Sequence, residues 1–238
     1  MSRGERPRDR EARALAEAAL ASLLHAADRH STELVLIGGL VPEYLVDADD
    51  PHQGTNDVVE FLTDVADNLD QEIALPGTRA VSVKNLRGPG PALRDAHVAS
   101  VLGERVRMVE IGGYLAAKGA AAFWRRAEKD LYDFAWVLVH AARTDPDRAQ
   151  RAVAAVLDPE VDRDRWGAVL GVCGLFEDEE GTGTTTFVDT SLAAGSEQAP
   201  EDLALDAVLA VRLFRAGLQA RRHAATTPAG PGRAGAQS

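Results

Sequence analysis

The run Leu34-Val35-Leu36-Ile37, closed by Gly38-Gly39, constrains this chain more than any other segment. Four apolar residues without a polar interruption are too few for a buried helix. Their branched side chains and the terminating glycines favour a buried strand. Leu40 to Val46 then reads as a short helix, with Pro42 tolerable in its first turn. A glycine pair between a strand and a helix lets a phosphate approach the backbone, and a helix start offers free N–H groups. No G-x-G-x-x-G is present, so the pair is not a dinucleotide fingerprint.

Other elements follow from periodicity. Asp9 to His30 carries Leu20, Leu23, Leu24 and Ala27 on one helical face. Asp47 to Asn56 is a polar loop with Pro51 and Gly54. Asp57 to Leu62 reads as a second strand, followed by a helix capped at Thr63 or Asp64 and using Val65, Leu69 and Ile73. Ala80 to Lys84 reads as a third strand, and Gly88-Pro89-Gly90-Pro91 as a break in regular structure. Val106 to Ile111 is a fourth strand.

From Gly112 onward the pattern is helical: Tyr114 to Arg126, Glu128 to Ala142, Pro146 to Leu157, Arg163 to Gly174 and Glu201 to His223. Glu177 to Thr186 reads as an exposed loop. Residues 224–238, rich in Ala, Gly and Pro, read as a disordered tail.

Composition narrows the function classes. A hydrophobic fraction of 45% and a charged fraction of 26% are those of a globular protein. No uncharged apolar run approaches the roughly 20 residues of a bilayer span. Met1 to Arg13 lacks the apolar stretch of a secretory signal, and the lone Cys173 reads as a buried thiol; both point to a cytoplasmic protein. A net charge of −11 argues against indiscriminate nucleic-acid binding. Yet basic residues crowd the stretch from Arg79 to Lys129, a local attraction for a polyphosphate or an RNA end. None of the six histidines has zinc-ligand spacing, so none reads as a ligand. Trp124, Trp136, Tyr132 and Phe134 read as core residues rather than base-stacking platforms.

Two further constellations bear chemistry. Asp57 opens the second strand, but the residue two positions on, which shares its face, is Val59, and Glu60 points to the other side of a regular strand. Lys118 and Arg125 lie two turns apart on one helix face, followed after a short break by Lys129-Asp130 and Asp133. Asp130 and Asp133 are one turn apart and can both face inward.

Together Gly38-Gly39-Leu40-Val41-Pro42-Glu43, His52-Gln53-Gly54-Thr55-Asn56-Asp57, Lys118, Arg125 and Lys129-Asp130-Leu131-Tyr132-Asp133 resemble the motifs of the nucleotidyltransferase-like toxins of the AbiEii/AbiGii type. The matching blocks span roughly Leu34 to His140. The resemblance implies an α+β fold, a mixed β-sheet flanked by helices with a helical C-terminal part. The corresponding division is an N-terminal helix (1–32), a nucleotidyltransferase-like core (33–143), a helical C-terminal region (144–223) and the tail (224–238). It implies metal-dependent transfer of a nucleotide from an NTP to an RNA acceptor such as tRNA, in a toxin–antitoxin setting with a cognate antitoxin protein.

By the same resemblance Gly38, Gly39 and Thr55 cradle the substrate, Asp57 binds Mg²⁺, and Lys118 meets the triphosphate. Arg125 and Lys129 join the substrate site, and Asp130 and Asp133 orient the lysine. Val59 stands where the family has its second carboxylate, and Ala80 to Lys84 offers no clear third one. The alternative is therefore a catalytically inactive relative that binds a nucleotide, an RNA or a protein.

Overall fold

The computed structural model describes residues 10–27, 34–50, 52–53, 62–63, 71–74, 82–85 and 90–226. Thr55 and Asp57 lie outside them, as do Val59, Glu60 and the tail from 227 onward. The described residues form a mixed α+β structure that is mostly helical.

Helix α1 (Arg10–Ala27) buries Leu20 and Leu24, the core of its apolar stripe, against the first sheet. Strand β1 (Val35–Leu36) follows, then helix α2 (Pro42–Leu45) with Pro42 at its start. Leu34 to Ile37 is only partly buried and only two of its residues pair, so the run expected to be a buried strand is shorter and more open. Strands β2 (Leu62–Thr63), β3 (Gln71–Ala74) and β4 (Ser82–Asn85) form one sheet in the order β2-β4-β3. β2 runs parallel and β3 antiparallel to β4. Ile73, expected in a helix, therefore pairs with Val83 in a strand.

Helix α3 (Gly90–Arg94) begins inside the Gly-Pro cluster that reads as a breaker. A proline in the first turn lacks only an N–H that a helix start does not use. Strands β5 (Ala96–Val101) and β6 (Glu104–Val109) make an antiparallel hairpin, with Ala96 opposite Val109 and Val101 opposite Glu104. Its two-residue turn, Leu102-Gly103, has φ of 48° and 88°, the left-handed geometry that a tight hairpin requires. β1 pairs with β6 in parallel, Val35 opposite Arg107 and Leu36 opposite Met108, so the sheet order is β1-β6-β5.

Helices α4 (Ile111–Arg125), α5 (Glu128–Thr144), α6 (Arg148–Val156), α7 (Arg163–Cys173), α8 (Thr182–Ala193) and α9 (Pro200–Thr226) complete the chain, with a 3-10 turn at Gly174–Phe176. Every residue from Asp130 to Ala141 of α5 is buried, and α2, α4, α6, α8 and α9 pack around it. A helix covered on all sides is central, and the polar Asp130, Asp133 and His140 are enclosed with its apolar residues. Its Phe134 meets Phe214 of α9 edge-on at 5.8 Å, and Tyr132 stacks on Phe187 of α8 at 6.0 Å. Buried residues from Leu20 to Leu218 make one continuous cluster.

The segment from Glu177 to Thr186 is not wholly a loop. Threonine and glycine are poor helix formers, yet α8 starts at Thr182 because Gly183 lies against the Phe176 ring and the Thr184 hydroxyl donates to the Asp178 carbonyl. Cys173 is buried, its thiol donating to the Val169 carbonyl, and burial pushes its pKa up to about 12. Among the described residues no helix is long and apolar enough to cross a membrane.

Candidate functional site

The turn between α4 and α5 brings the sequence-predicted cations and carboxylates together. α4 ends at Arg126, whose φ of 53° is left-handed and whose N–H bonds the Ala122 carbonyl. Ala127 has no side-chain cap to offer, and α5 restarts at once with Glu128, Lys129 and Asp130 in its first turn. The reversal folds the last two turns of α4 against the first two of α5.

Lys118 Nζ donates to Asp130 Oδ1 at 3.0 Å and to Asp133 Oδ2 at 2.6 Å. Arg125, two turns after Lys118 on the same face, closes on Asp130 Oδ2 at 2.9 Å. Asp130 and Asp133 are sealed from solvent, Lys118 retains 11% side-chain exposure and Arg125 45%. The ion pairs therefore sit inside the protein, with the guanidinium at the open side.

The electrostatics follow from that enclosure. Burial alone would lower the Lys118 pKa, but the carboxylates of Asp133 and Asp130 overcome it and raise it above the ordinary lysine value. Burial would likewise raise Asp133, yet the Lys118 ammonium and the hydrogen bond from His52 hold it well below the usual carboxylate range. The Lys118 ammonium and the Asp133 carboxylate thus each sustain the other's charge.

His52 joins the cluster although its spacing from other residues gives it no role in the sequence. Its side chain is fully enclosed, and its Nε2 lies 3.0 Å from Asp133 Oδ1, an acceptor that assigns the proton to Nε2. The ring lies 5.1 Å from Tyr132 and edge-on to Trp136 at 4.9 Å. Its backbone N–H donates to Glu43 Oε1 at 2.9 Å, and the Gln53 N–H donates to the Tyr132 hydroxyl at 3.3 Å. Glu43 in turn pairs with Arg13 of α1. The loop after α2 is thus pinned to α5 by the His52 side chain and the Gln53 N–H, and to α2 by the His52 N–H. The sequence signal for His52 is its place in the block His52-Gln53-Gly54-Thr55.

Gly38 and Gly39 lie in the turn from β1 to α2, where Gly38 takes φ 101° and accepts a bond from the Val41 N–H. They reach the lysine cluster indirectly, through Glu43 on α2, then His52, then Asp133. Lys129 is half-buried beside Asp130 on α5. Tyr132, Phe134 and Trp136 are core residues, as their spacing suggests, and Trp124 is half-buried.

A metal ion does not fit the described carboxylates. Asp130 and Asp133 already hold Lys118, Arg125 and His52, and among the described residues no group of three His, Cys, Asp or Glu side chains could hold a cation. What the arrangement does offer is positive charge in fixed geometry. An ammonium has three N–H bonds; two are directed at Asp130 and Asp133, which leaves the third and the Arg125 fork for an anionic oxygen.

Compared with known proteins, the chain matches no family model, no curated protein and no solved structure.

Proposed function

We propose that this chain is a nucleotidyltransferase-like protein whose Lys118 and Arg125 receive the triphosphate of an NTP. The observation that supports it is the lysine ammonium fixed between Asp130 and Asp133, with the half-exposed Arg125 guanidinium anchored to the same carboxylate. A flexible surface lysine would lose side-chain entropy on gripping a phosphate; one already clamped by two carboxylates has lost it on folding. Arginine adds a planar fork matched to phosphate oxygens.

In the reaction a hydroxyl oxygen of an RNA acceptor such as tRNA attacks the α-phosphorus. The new O–P bond forms as the bond to the β-phosphate bridging oxygen breaks; pyrophosphate leaves and the hydroxyl proton passes to water. Lys118 and Arg125 hold the departing phosphates, while Asp130 and Asp133 keep the lysine charged and aimed. A protein partner of antitoxin type belongs to the same reading.

A second reading is favoured by one observation: the buried carboxylates already hold side-chain cations, and Val59 replaces the acid expected beside Asp57. It is a relative that binds a nucleotide, an RNA or a protein without transferring anything. The experiment supplies Mg²⁺, each α-labelled NTP and total tRNA, and compares the wild type with Asp57→Ala and Arg125→Ala. Label that enters RNA and is lost in Asp57→Ala supports transfer. Nucleotide binding without label in RNA supports the second reading, and neither binding nor transfer contradicts both.

A further inference from the structure

The two carboxylates that hold Lys118 are each held by a second partner. Asp130 directs Oδ1 to Lys118 and Oδ2 to Arg125, at 3.0 and 2.9 Å. Asp133 directs Oδ2 to Lys118 and Oδ1 to His52 Nε2, at 2.6 and 3.0 Å. A carboxylate turns readily about its last torsion, so one oxygen keeps its aim on the lysine only while the other is engaged. Arg125 is nearly half exposed and, in the reading above, is shared with the substrate, whereas the His52 side chain is fully enclosed. His52 is thus the anchor that stays in place when a nucleotide arrives.

His52 is itself fixed by its surroundings. Its ring is boxed in by Tyr132 and Trp136 of α5, at 5.1 and 4.9 Å. Its backbone N–H donates to Glu43 Oε1 at 2.9 Å, and Arg13 of α1 holds the other Glu43 oxygen at 2.5 Å. An unbroken row of polar contacts therefore runs from Arg13 through Glu43, His52 and Asp133 to Lys118. Enclosed as it is, the imidazole cannot touch a substrate, so any part it plays is played through Asp133.

We propose that His52 is a positioning residue of the triphosphate site: its Nε2–H fixes the Asp133 carboxylate, and that carboxylate aims the Lys118 ammonium and its third N–H at a phosphate oxygen. With two N–H bonds on fixed oxygens, the direction of the third is set before any ligand binds. The proposal rests on the reading of Lys118 and Arg125 as a triphosphate site, but the hold of His52 on Lys118 is measurable without a nucleotide.

The test compares His52→Met, which fills the space without a donor, with His52→Gln, whose amide N–H can donate from the place of Nε2. Without nucleotide, NMR of the nitrogen-15-labelled full chain observes the lysine ammonium protons, the signal missing from Lys118→Arg being that of Lys118. A clamped ammonium exchanges slowly, so the signal should be resolved in the wild type and His52→Gln and broadened away in His52→Met. A signal equally sharp in His52→Met, or absent from the wild type, overturns the inference. In calorimetric titration His52→Met should bind NTP roughly tenfold or more weakly than the wild type, and His52→Gln should recover most of that loss. NTP binding that needs Arg125 but is unchanged in His52→Met overturns the role of His52 and leaves the triphosphate site standing; a wild type that binds no NTP overturns both. Equal losses in the two variants, at unchanged far-ultraviolet circular dichroism, also overturn the role, because packing alone would then explain them. If His52→Met does not fold, Glu43→Ala and Glu43→Gln carry the comparison, since Glu43 is on a part-exposed side chain and only the glutamine oxygen still accepts the His52 N–H. A several-fold loss of NTP affinity in Glu43→Ala that Glu43→Gln recovers supports the proposal, and no loss in Glu43→Ala overturns it.

Discussion

Lys118 bridges two enclosed carboxylates, Asp130 and Asp133. Removing its charge leaves Asp130 with Arg125 alone and Asp133 with His52 alone, in a site that solvent does not reach. Lys118→Met should therefore cost about 3–5 kcal/mol of folding stability. Arg125, nearly half exposed, should cost about 1 kcal/mol or less when changed to alanine. Urea denaturation of the two variants measures the contrast; equal losses would mean that the lysine is not an enclosed partner.

His140 supplies a residue-scale pH effect. Burial first, then the neighbouring Arg143, lowers its pKa from 6.5 to about 4, so the folded protein keeps the imidazole neutral where the unfolded chain charges it. The unfolded state then binds the extra proton, and stability present above pH 6.5 drains away as the pH falls toward 4. The loss reaches at most about 3 kcal/mol from this group. Asp133, held low by Lys118 and His52, adds a loss of the same sign at more acid pH. Denaturation curves at pH 7 and pH 4.5 should differ more for the wild type than for His140→Gln.

At the scale of elements, two turns set where the site's helices and loops go. Arg126 ends α4 in a left-handed conformation that glycine adopts without penalty. Arg126→Gly should accordingly stabilise the protein by about 0.5–1 kcal/mol. Gly38, at φ 101°, has open space around it, so Gly38→Ala meets only backbone strain and should cost about 1–2 kcal/mol. Thermal melts of both variants check the opposite signs.

The same elements mark what the sequence discloses. The helices α1, α4, α5 and α9 are legible because their apolar stripes have helical period. Lys118, Arg125, Asp130 and Asp133 are legible as one cluster because they are close in sequence across a single reversal. The β5–β6 hairpin is half hidden: β5, with exposed His97, Val98 and Ser100, has no clean alternation, and its turn is Leu-Gly in place of an asparagine or aspartate turn. α8 is hidden because its threonines and glycine acquire helicity only from contact with Phe176. His52 is hidden for a third reason. Its partner Asp133 is 81 residues away, and no local pattern encodes a pairing that α2 and the following loop create by packing on α5.

At the scale of the whole molecule, an acidic chain of net charge −11 repels polyanions except where its cations are locally exposed. The cluster of Lys118 and Arg125 with two carboxylates is balanced in charge, so the proposed grip on a triphosphate rests on direction and preorganisation and not on excess positive charge. That distinction has a measurable consequence, since contacts of this kind depend on the fork at Arg125 and the third N–H at Lys118.

Calorimetric titration of each NTP into the wild type and into Arg125→Ala tests the triphosphate site most directly. The expected result is saturable binding of at least one NTP by the wild type and a loss of roughly tenfold or more in the variant. Wild-type protein that binds no NTP, or binds one no better than Arg125→Ala does, would contradict a triphosphate site at Lys118.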